Sequence, residues 1–213
     1  MTQTLRQELV AIGRRLVERG LVSGSFGNAS VRLPGSDHVL VTPSGLPYEH
    51  MHADDIVVVR LDGTVVEGSR KPTSEAPMHL AVYRARADVG AVVHTHSVHA
   101  TTLACAGLPI EPVHYLMAGI GQRVPVAPFA IFGTPEIGDA AVAALRTEHQ
   151  AVLLAQHGVL TVGRDLEAAF FVAETVEYVA EITCRLMAMG VTGSNLTAEQ
   201  LLQTERRFYR RAE

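Results

Sequence analysis

The sequence predicts an α/β fold, a three-layer α/β/α sandwich around a central mixed, largely antiparallel sheet. Three observations carry this. Amphipathic segments with helical spacing open and close the chain, and short apolar runs bounded by Gly, Pro, Asn and Asp alternate with further helical segments between them. Two pairs of those runs are joined by turns too short for a crossover, which makes each pair antiparallel.

Taken in order, Leu5, Leu9, Ile12 and Leu16 form one apolar face, and Gly20 is a suitable stop, so residues 3–19 are expected to open the fold as a helix. Residues 29–33, the turn Pro34-Gly35-Ser36 and residues 38–42 read as a hairpin. Residues 56–61, Asp62-Gly63 and residues 64–67 read as a second. After Lys71-Pro72, Ser74 suits an N-cap and Glu75 and Pro77 a first turn, with Met78, Leu80, Ala81 and Tyr83 carrying a helix to about Arg86. Strand 90–97, helix 98–106, a short helix at 113–119, strand 123–130, helix 135–146 and strand 151–157 follow. Two carboxyl-side helices close the sandwich. The longer, Leu166 to Met189, is marked as solvated on one side by Glu174, Glu177, Glu181 and Arg185.

At 213 residues, 47% hydrophobic and 19% charged, the chain fits a single domain over 1–213 with a substantial core. A net charge of −4 gives no basic field for nucleic acid, and Arg206-Arg207 with Arg210-Arg211 reads as the solvated end of a terminal helix. The amino terminus lacks the apolar core of a signal peptide, and charges interrupt every later apolar stretch, so no membrane span is expected. Cys105 and Cys184 lie among apolar residues and read as buried free thiols, which suits a reducing, cytoplasmic location.

The chemistry concentrates in His94-Thr95-His96. In a strand, residues i and i+2 share a face, so the two imidazoles form a grip for a divalent ion such as Zn²⁺. His157, in Gln156-His157-Gly158 at the end of the apolar run from Ala151, supplies a third imidazole, and Glu75 a neighbouring acid or base. The loops Gly24-Ser25-Phe26-Gly27-Asn28, Thr42-Pro43-Ser44-Gly45 and Thr73-Ser74 join small residues to neutral donors, the pattern by which backbone N–H groups approach an anion. No GxxxxGK[ST] is present, so nucleotide cradling has no support. His79 and His99 sit in helical segments near these motifs, where either a place behind the ligands or plain packing is open to them, and packing is the preferred reading. His38, His50, His52, His114 and His149 show no ligand pattern.

In this order, Gly27-Asn28-Ala29-Ser30-Val31-Arg32, Thr42-Pro43-Ser44-Gly45, Lys71-Pro72-Thr73-Ser74-Glu75, His94-Thr95-His96-Ser97 and Gln156-His157-Gly158 make residues 5–190 resemble the zinc-dependent class II sugar-phosphate aldolases. Their superfamily also holds ribulose-phosphate epimerases and the adducin head. The resemblance implies one Zn²⁺ per subunit on His94, His96 and His157, with Glu75 as a further ligand and the catalytic proton shuttle. It implies phosphate binding by Gly27, Asn28, Ser44, Gly45, Thr73 and Ser74. Tyr115 matches the tyrosine that protonates the aldehyde oxygen, delivered from a neighbouring subunit of a homotetramer. The epimerases carry an aspartate-containing motif there, yet no aspartate lies between Glu111 and Pro135; the related dehydratases have a glutamate in place of Tyr115.

The expected reaction is therefore reversible cleavage of a ketose 1-phosphate, with L-fuculose 1-phosphate giving dihydroxyacetone phosphate and L-lactaldehyde. An epimerase, dehydratase or sugar-acid phosphate decarboxylase of the same superfamily is the first alternative. A non-catalytic adducin-like domain is the second, opposed by the intact Glu75 and three histidines. Phe208-Tyr209 suits a cover over a neighbouring site.

Overall fold

The computed structural model describes residues 2–210, without the side chains of Tyr209 and Arg210. Met1 and Arg211, and the ring of Tyr209 expected over a neighbouring site, lie outside the described residues. One eight-stranded sheet runs through the molecule in the order β4-β3-β2-β1-β5-β8-β7-β6. Its strands are β1 (Asn28–Arg32), β2 (His38–Val41), β3 (Val57–Arg60), β4 (Val65–Glu67), β5 (Ala91–Thr95), β6 (Val126–Ala127), β7 (Ala151–Leu154) and β8 (Gly158–Gly163). Every pairing is antiparallel except β6 with β7, so the expected mixed sheet is present.

Strand alternation feeds two helical layers. Val39, Val41, Val57, Val59, Val92, Val152, Leu154 and Leu160 bury against α2 (Ala76–Ala85) and α4 (Pro135–Leu145). The intervening residues face the other way. Leu40, Val58, Ala91 and Val93 pack with α1 (Thr2–Glu18) and the front of α5 (Leu166–Ala188). Farther along, Leu153 and Val159 meet the rest of α5, α3 (Val98–Ala106) and α6 (Ala198–Arg210). Glu177 of α5 caps α3 from outside, accepting the backbone N–H groups of His99 and Ala100 and contacting the His99 ring at 2.8 Å. His99 thus pairs with Glu177 and does not line the cavity beside His96 and His157.

Three expectations are corrected. The run 151–157 stops at Leu154, turns through three residues and returns as β8, a central strand that the sequence reading omitted. Of 123–130 only Val126–Ala127 joins the sheet, with Val124 making an isolated bridge to Ile110, because Pro125 and Pro128 carry no N–H to donate. The short helix expected at 113–119 is present as a 3₁₀ helix, Tyr115–Gly119. Cys105 is exposed and Cys184 half-buried, because α3 turns Ala100, Leu103 and Ala104 inward and leaves Cys105 on the outer side. No helix among the described residues is long and apolar enough to cross a membrane.

Candidate functional site

The register of β5 and β8 builds the histidine cluster. Thr95 pairs with Val159 and His94 with Leu160, so Gly158 and His157 fall beside His96, just past the end of β5. Gly158 permits the close approach: a Cβ there would overlap the Thr95 carbonyl oxygen and lie 2.9 Å from His96 Cδ2. The hairpin loop of residues 155–157 turns through Gln156 at φ +54°, unusual for a side-chain-bearing residue. The three rings then meet edge to face at centroid separations of 4.8, 4.8 and 5.0 Å.

Glu75 arrives from the opposite side, on the helical layer that the His94 face of β5 meets. It is itself the N-cap of α2, one residue later than expected, and makes no cap bond with its side chain. Its carboxylate is therefore free to face the rings. Oε2 lies 3.2 Å from His94 Nε2 and Oε1 3.2 Å from His157 Nε2. Asn28 of β1 donates its amide to Oε2 at 2.8 Å.

The donor set fits a divalent metal. His94 Nδ1 lies 2.9 Å from the carbonyl oxygen of Val159, which accepts only, so Nδ1 carries the hydrogen and Nε2 presents its lone pair. That lone pair faces Glu75 Oε2 at 3.2 Å, a repulsive pairing that a cation between them relieves, and His96 Nε2 lies 2.9 Å away on the same side. Glu75 Oε1 is buried without a hydrogen-bond partner, and the ligand atoms of Glu75, His94, His96 and His157 all lie within 4.8 Å of one another. Three imidazoles and a displaceable carboxylate match a catalytic metal site that opens a position to substrate. Burial, reinforced by the neighbouring rings, holds His96 down to about 4, and burial also lowers His157. Both are thus in the neutral, ligating form at neutral pH. For Glu75, burial pushes the carboxyl up, but positive charge at the His94–His157 ring cluster, which a bound cation supplies when the imidazoles are neutral, and the Asn28 amide outweigh it, holding the group well below the usual carboxylate range.

The cluster opens into a cavity of about 570 Å³. One wall is polar and is assembled by backbone bonds: Ser44 N–H donates to Lys71 O and Thr73 N–H to Thr42 O, both at 3.0 Å, which ties the two loops side by side. All six residues assigned to phosphate, Gly27, Asn28, Ser44, Gly45, Thr73 and Ser74, line this cavity together with Glu75, His96 and His157. His94 is fully buried behind them. The other wall is apolar and was missed in the sequence. Phe129, Ile131 and Phe132 stand more than 60% exposed around it, and Phe26 stacks on His96 at 6.2 Å. The available signal was Phe129-Ala130-Ile131-Phe132, an apolar run that the sequence reading placed partly in a strand.

Tyr115 does not reach this cavity. It is 51% exposed, stacks on Phe208 of α6 at 6.0 Å, and lines a separate surface depression with Leu196 and Gln200. Phe208 accordingly packs at Tyr115 within its own chain. His79, read as packing, is instead bonded to Asn28 and Ser30 and belongs to the site's support.

Comparison with known proteins agrees with this geometry. The model of the class II aldolase and adducin N-terminal domain matches residues 7–184. The chain belongs to this family. A 5-deoxy-D-ribulose 1-phosphate aldolase of Bacillus thuringiensis serovar kurstaki is 41% identical over 190 residues, 89% of each chain. A 5-methylthioribulose-1-phosphate/5-deoxyribulose-1-phosphate aldolase of Rhodospirillum rubrum is 43% identical over 179 residues, 83% of this chain and 79% of that one. Among solved structures, an L-fuculose 1-phosphate aldolase superposes with a TM-score of 0.92 at 39% identity, covering 97% of this chain and 96% of that one. The protein is a class II aldolase, an aldehyde-lyase.

Proposed function

We propose that this class II sugar-phosphate aldolase acts as a single zinc-dependent domain. It cleaves a ketose 1-phosphate bearing an apolar end group to dihydroxyacetone phosphate and an aldehyde. The observation that carries the reading is one cavity with three chemically distinct parts: a wall of neutral donors, the Glu75–histidine cluster and an aromatic wall. L-Fuculose, 5-deoxyribulose and 5-methylthioribulose 1-phosphates share a phosphate at one end and a methyl or methylthio group at the other. The two walls suit those two ends. L-Fuculose 1-phosphate stays within this class, alongside the five-carbon deoxy and methylthio sugars.

His94, His96 and His157, with Glu75, hold the Zn²⁺. When bound, the cation polarises substrate oxygens and stabilises negative charge as the carbon–carbon bond breaks. In the synthetic direction Glu75, a carboxylate at neutral pH, takes the proton from the hydroxymethyl carbon of dihydroxyacetone phosphate. Tyr115 gives its proton to the aldehyde oxygen as the new bond forms. Because Tyr115 lies outside its own chain's cavity, the reading places it in a neighbouring subunit's site within a homotetramer.

The test is product analysis by NMR. Dihydroxyacetone phosphate is incubated with acetaldehyde, methylthioacetaldehyde, L-lactaldehyde and glycolaldehyde. Aldol products from the first three in preference to glycolaldehyde are expected; a dominant glycolaldehyde product, or an epimerised or decarboxylated sugar in parallel assays, would refute the reading.

A further inference from the structure

Beneath the metal cluster a buried chain of side chains ties Glu75 and Asn28 to His79, Ser30 and Tyr83, three groups that the proposed chemistry does not use. On β1, Asn28 and Ser30 are two residues apart and face α2. On α2, Glu75, His79 and Tyr83 recur every four residues and face β1. Two strand residues rise about 6.7 Å and four helix residues about 6 Å, so the two ladders interdigitate. Asn28 falls between Glu75 and His79, and Ser30 between His79 and Tyr83. The bonds follow: Glu75 Oε2 to Asn28 Nδ2 at 2.8 Å, Asn28 Oδ1 to His79 Nε2 at 2.6 Å, His79 Nδ1 to Ser30 Oγ at 2.7 Å and Ser30 Oγ to Tyr83 OH at 2.9 Å.

Donor and acceptor chemistry gives the chain one direction. The Glu75 carboxylate only accepts, so Asn28 must turn its NH₂ toward it and its oxygen toward His79. That oxygen only accepts, so His79 Nε2 carries the hydrogen and Nδ1 accepts from the Ser30 hydroxyl. Burial holds the ring down to about 3, so it is neutral at any working pH and keeps this single tautomer. Tyr83, buried at the far end, offers no exit to solvent, so the chain holds groups in place and does not conduct protons away.

We propose that His79 is a positioning residue: it locks the Asn28 amide so that its NH₂, and not its oxygen, meets Glu75, and thereby aims the carboxylate at His94 and His157. A flipped Asn28 would set its oxygen against the carboxylate. The proposal rests on the reading of Glu75 as metal ligand and base, and its tests separate the two.

First, ¹⁵N NMR of the His79 ring needs neither metal nor substrate. A protonated Nε2 and bare Nδ1 at neutral pH are expected, and the opposite tautomer would overturn the proposal. Second, His79→Leu is expected to weaken zinc affinity, read by chelator competition, and kcat by about 10–100-fold each, with KM changed less than about threefold. His79→Gln, which keeps an N–H for Asn28, is expected to recover most of both losses. Third, in an Asn28→Ala background His79→Leu is expected to have no further effect on kcat, whereas the same factor in both backgrounds would show a general packing role and overturn the proposal. Where His79→Leu does not fold, Ser30→Ala, which releases the tautomer, is read in the same two assays, and unchanged zinc affinity and kcat would contradict the proposal. Failure of the wild type to bind zinc or cleave any ketose phosphate would instead remove the aldolase reading and leave the ring tautomer to decide the positioning role.

Discussion

The two walls of the cavity are built in opposite ways. On the metal side, Glu75 and His94 are buried and His96 and His157 half-buried, and the backbone that carries them is set by pairing: β5 against β8 brings the rings together, β1 and α2 place Glu75, and Gly158 admits the approach. On the far side, Phe129, Ile131 and Phe132 stand exposed on a connection between β6 and α4, with Ala130 between them packed against the core and Thr134 bonded back to Ile131 O. Substitution on a buried, register-fixed wall disturbs neighbours on several elements, whereas a loop wall changes without moving them. On the proposed reading, the chemistry of bond cleavage is thereby separated from the choice of aldehyde.

The largest expected effect breaks the metal wall itself. His96→Ala removes one ligand, and because Lewis-acid stabilisation is worth several kcal/mol, cleavage is expected to fall on the order of 10³-fold or more. Metal analysis should show the loss alongside the kinetics. Tyr115→Phe tests a group outside both walls: about a 10²-fold loss in cleavage is expected, with zinc content unchanged and exchange of the hydroxymethyl proton of dihydroxyacetone phosphate retained. Exchange lost in proportion to cleavage would return the defect to the metal side. On the loop wall, Phe132→Ser is expected to shift kcat/KM toward glycolaldehyde over methylthioacetaldehyde by about tenfold, with an unchanged melting temperature. A large fall in melting temperature would show that this wall is also structural.

The smallest effect is on stability against pH and sharpens the burial half of the comparison. In metal-free protein His96 and His79 have folded values of about 4 and about 3, below the ordinary 6.5, so between those limits the unfolded chain binds more protons than the folded one. Stability must then rise with pH, and the melting temperature is expected to fall as pH drops from 6.5 toward 4. The lowered Glu75 acts in the same direction below its ordinary 4.5. Saturating zinc, which holds the imidazoles deprotonated, should flatten the curve down to the pH at which the metal leaves. A flat curve without metal would mean that the rings are hydrated.

How much of this was legible follows the same division. The His94-Thr95-His96 grip needs only strand alternation, so local sequence displays it, and the small-residue loops mark the polar wall. What local pattern cannot display is which strand pairs with which. The return strand β8, with Val159 and Thr161 on one face and Leu160 and Val162 on the other, was hidden because Gln156-His157-Gly158 reads as the end of a run and not as a hairpin turn. His79 was read as packing because its role exists only once α2 lies across β1, where Asn28 and Ser30 meet it. Asn28 itself reads as an anion-loop residue, yet its oxygen is held by His79 and one amide hydrogen by Glu75. The place proposed for Tyr115 depends on a second subunit, which no feature of one chain specifies.

The most direct measurement of the central claim is metal removal and return, with cleavage of 5-deoxyribulose 1-phosphate and bound metal followed on the same sample. The account predicts that dialysis against a chelator abolishes cleavage, and that Zn²⁺ restores it in proportion to occupancy up to one ion per chain. Undiminished cleavage in protein verified to be free of metal would contradict it.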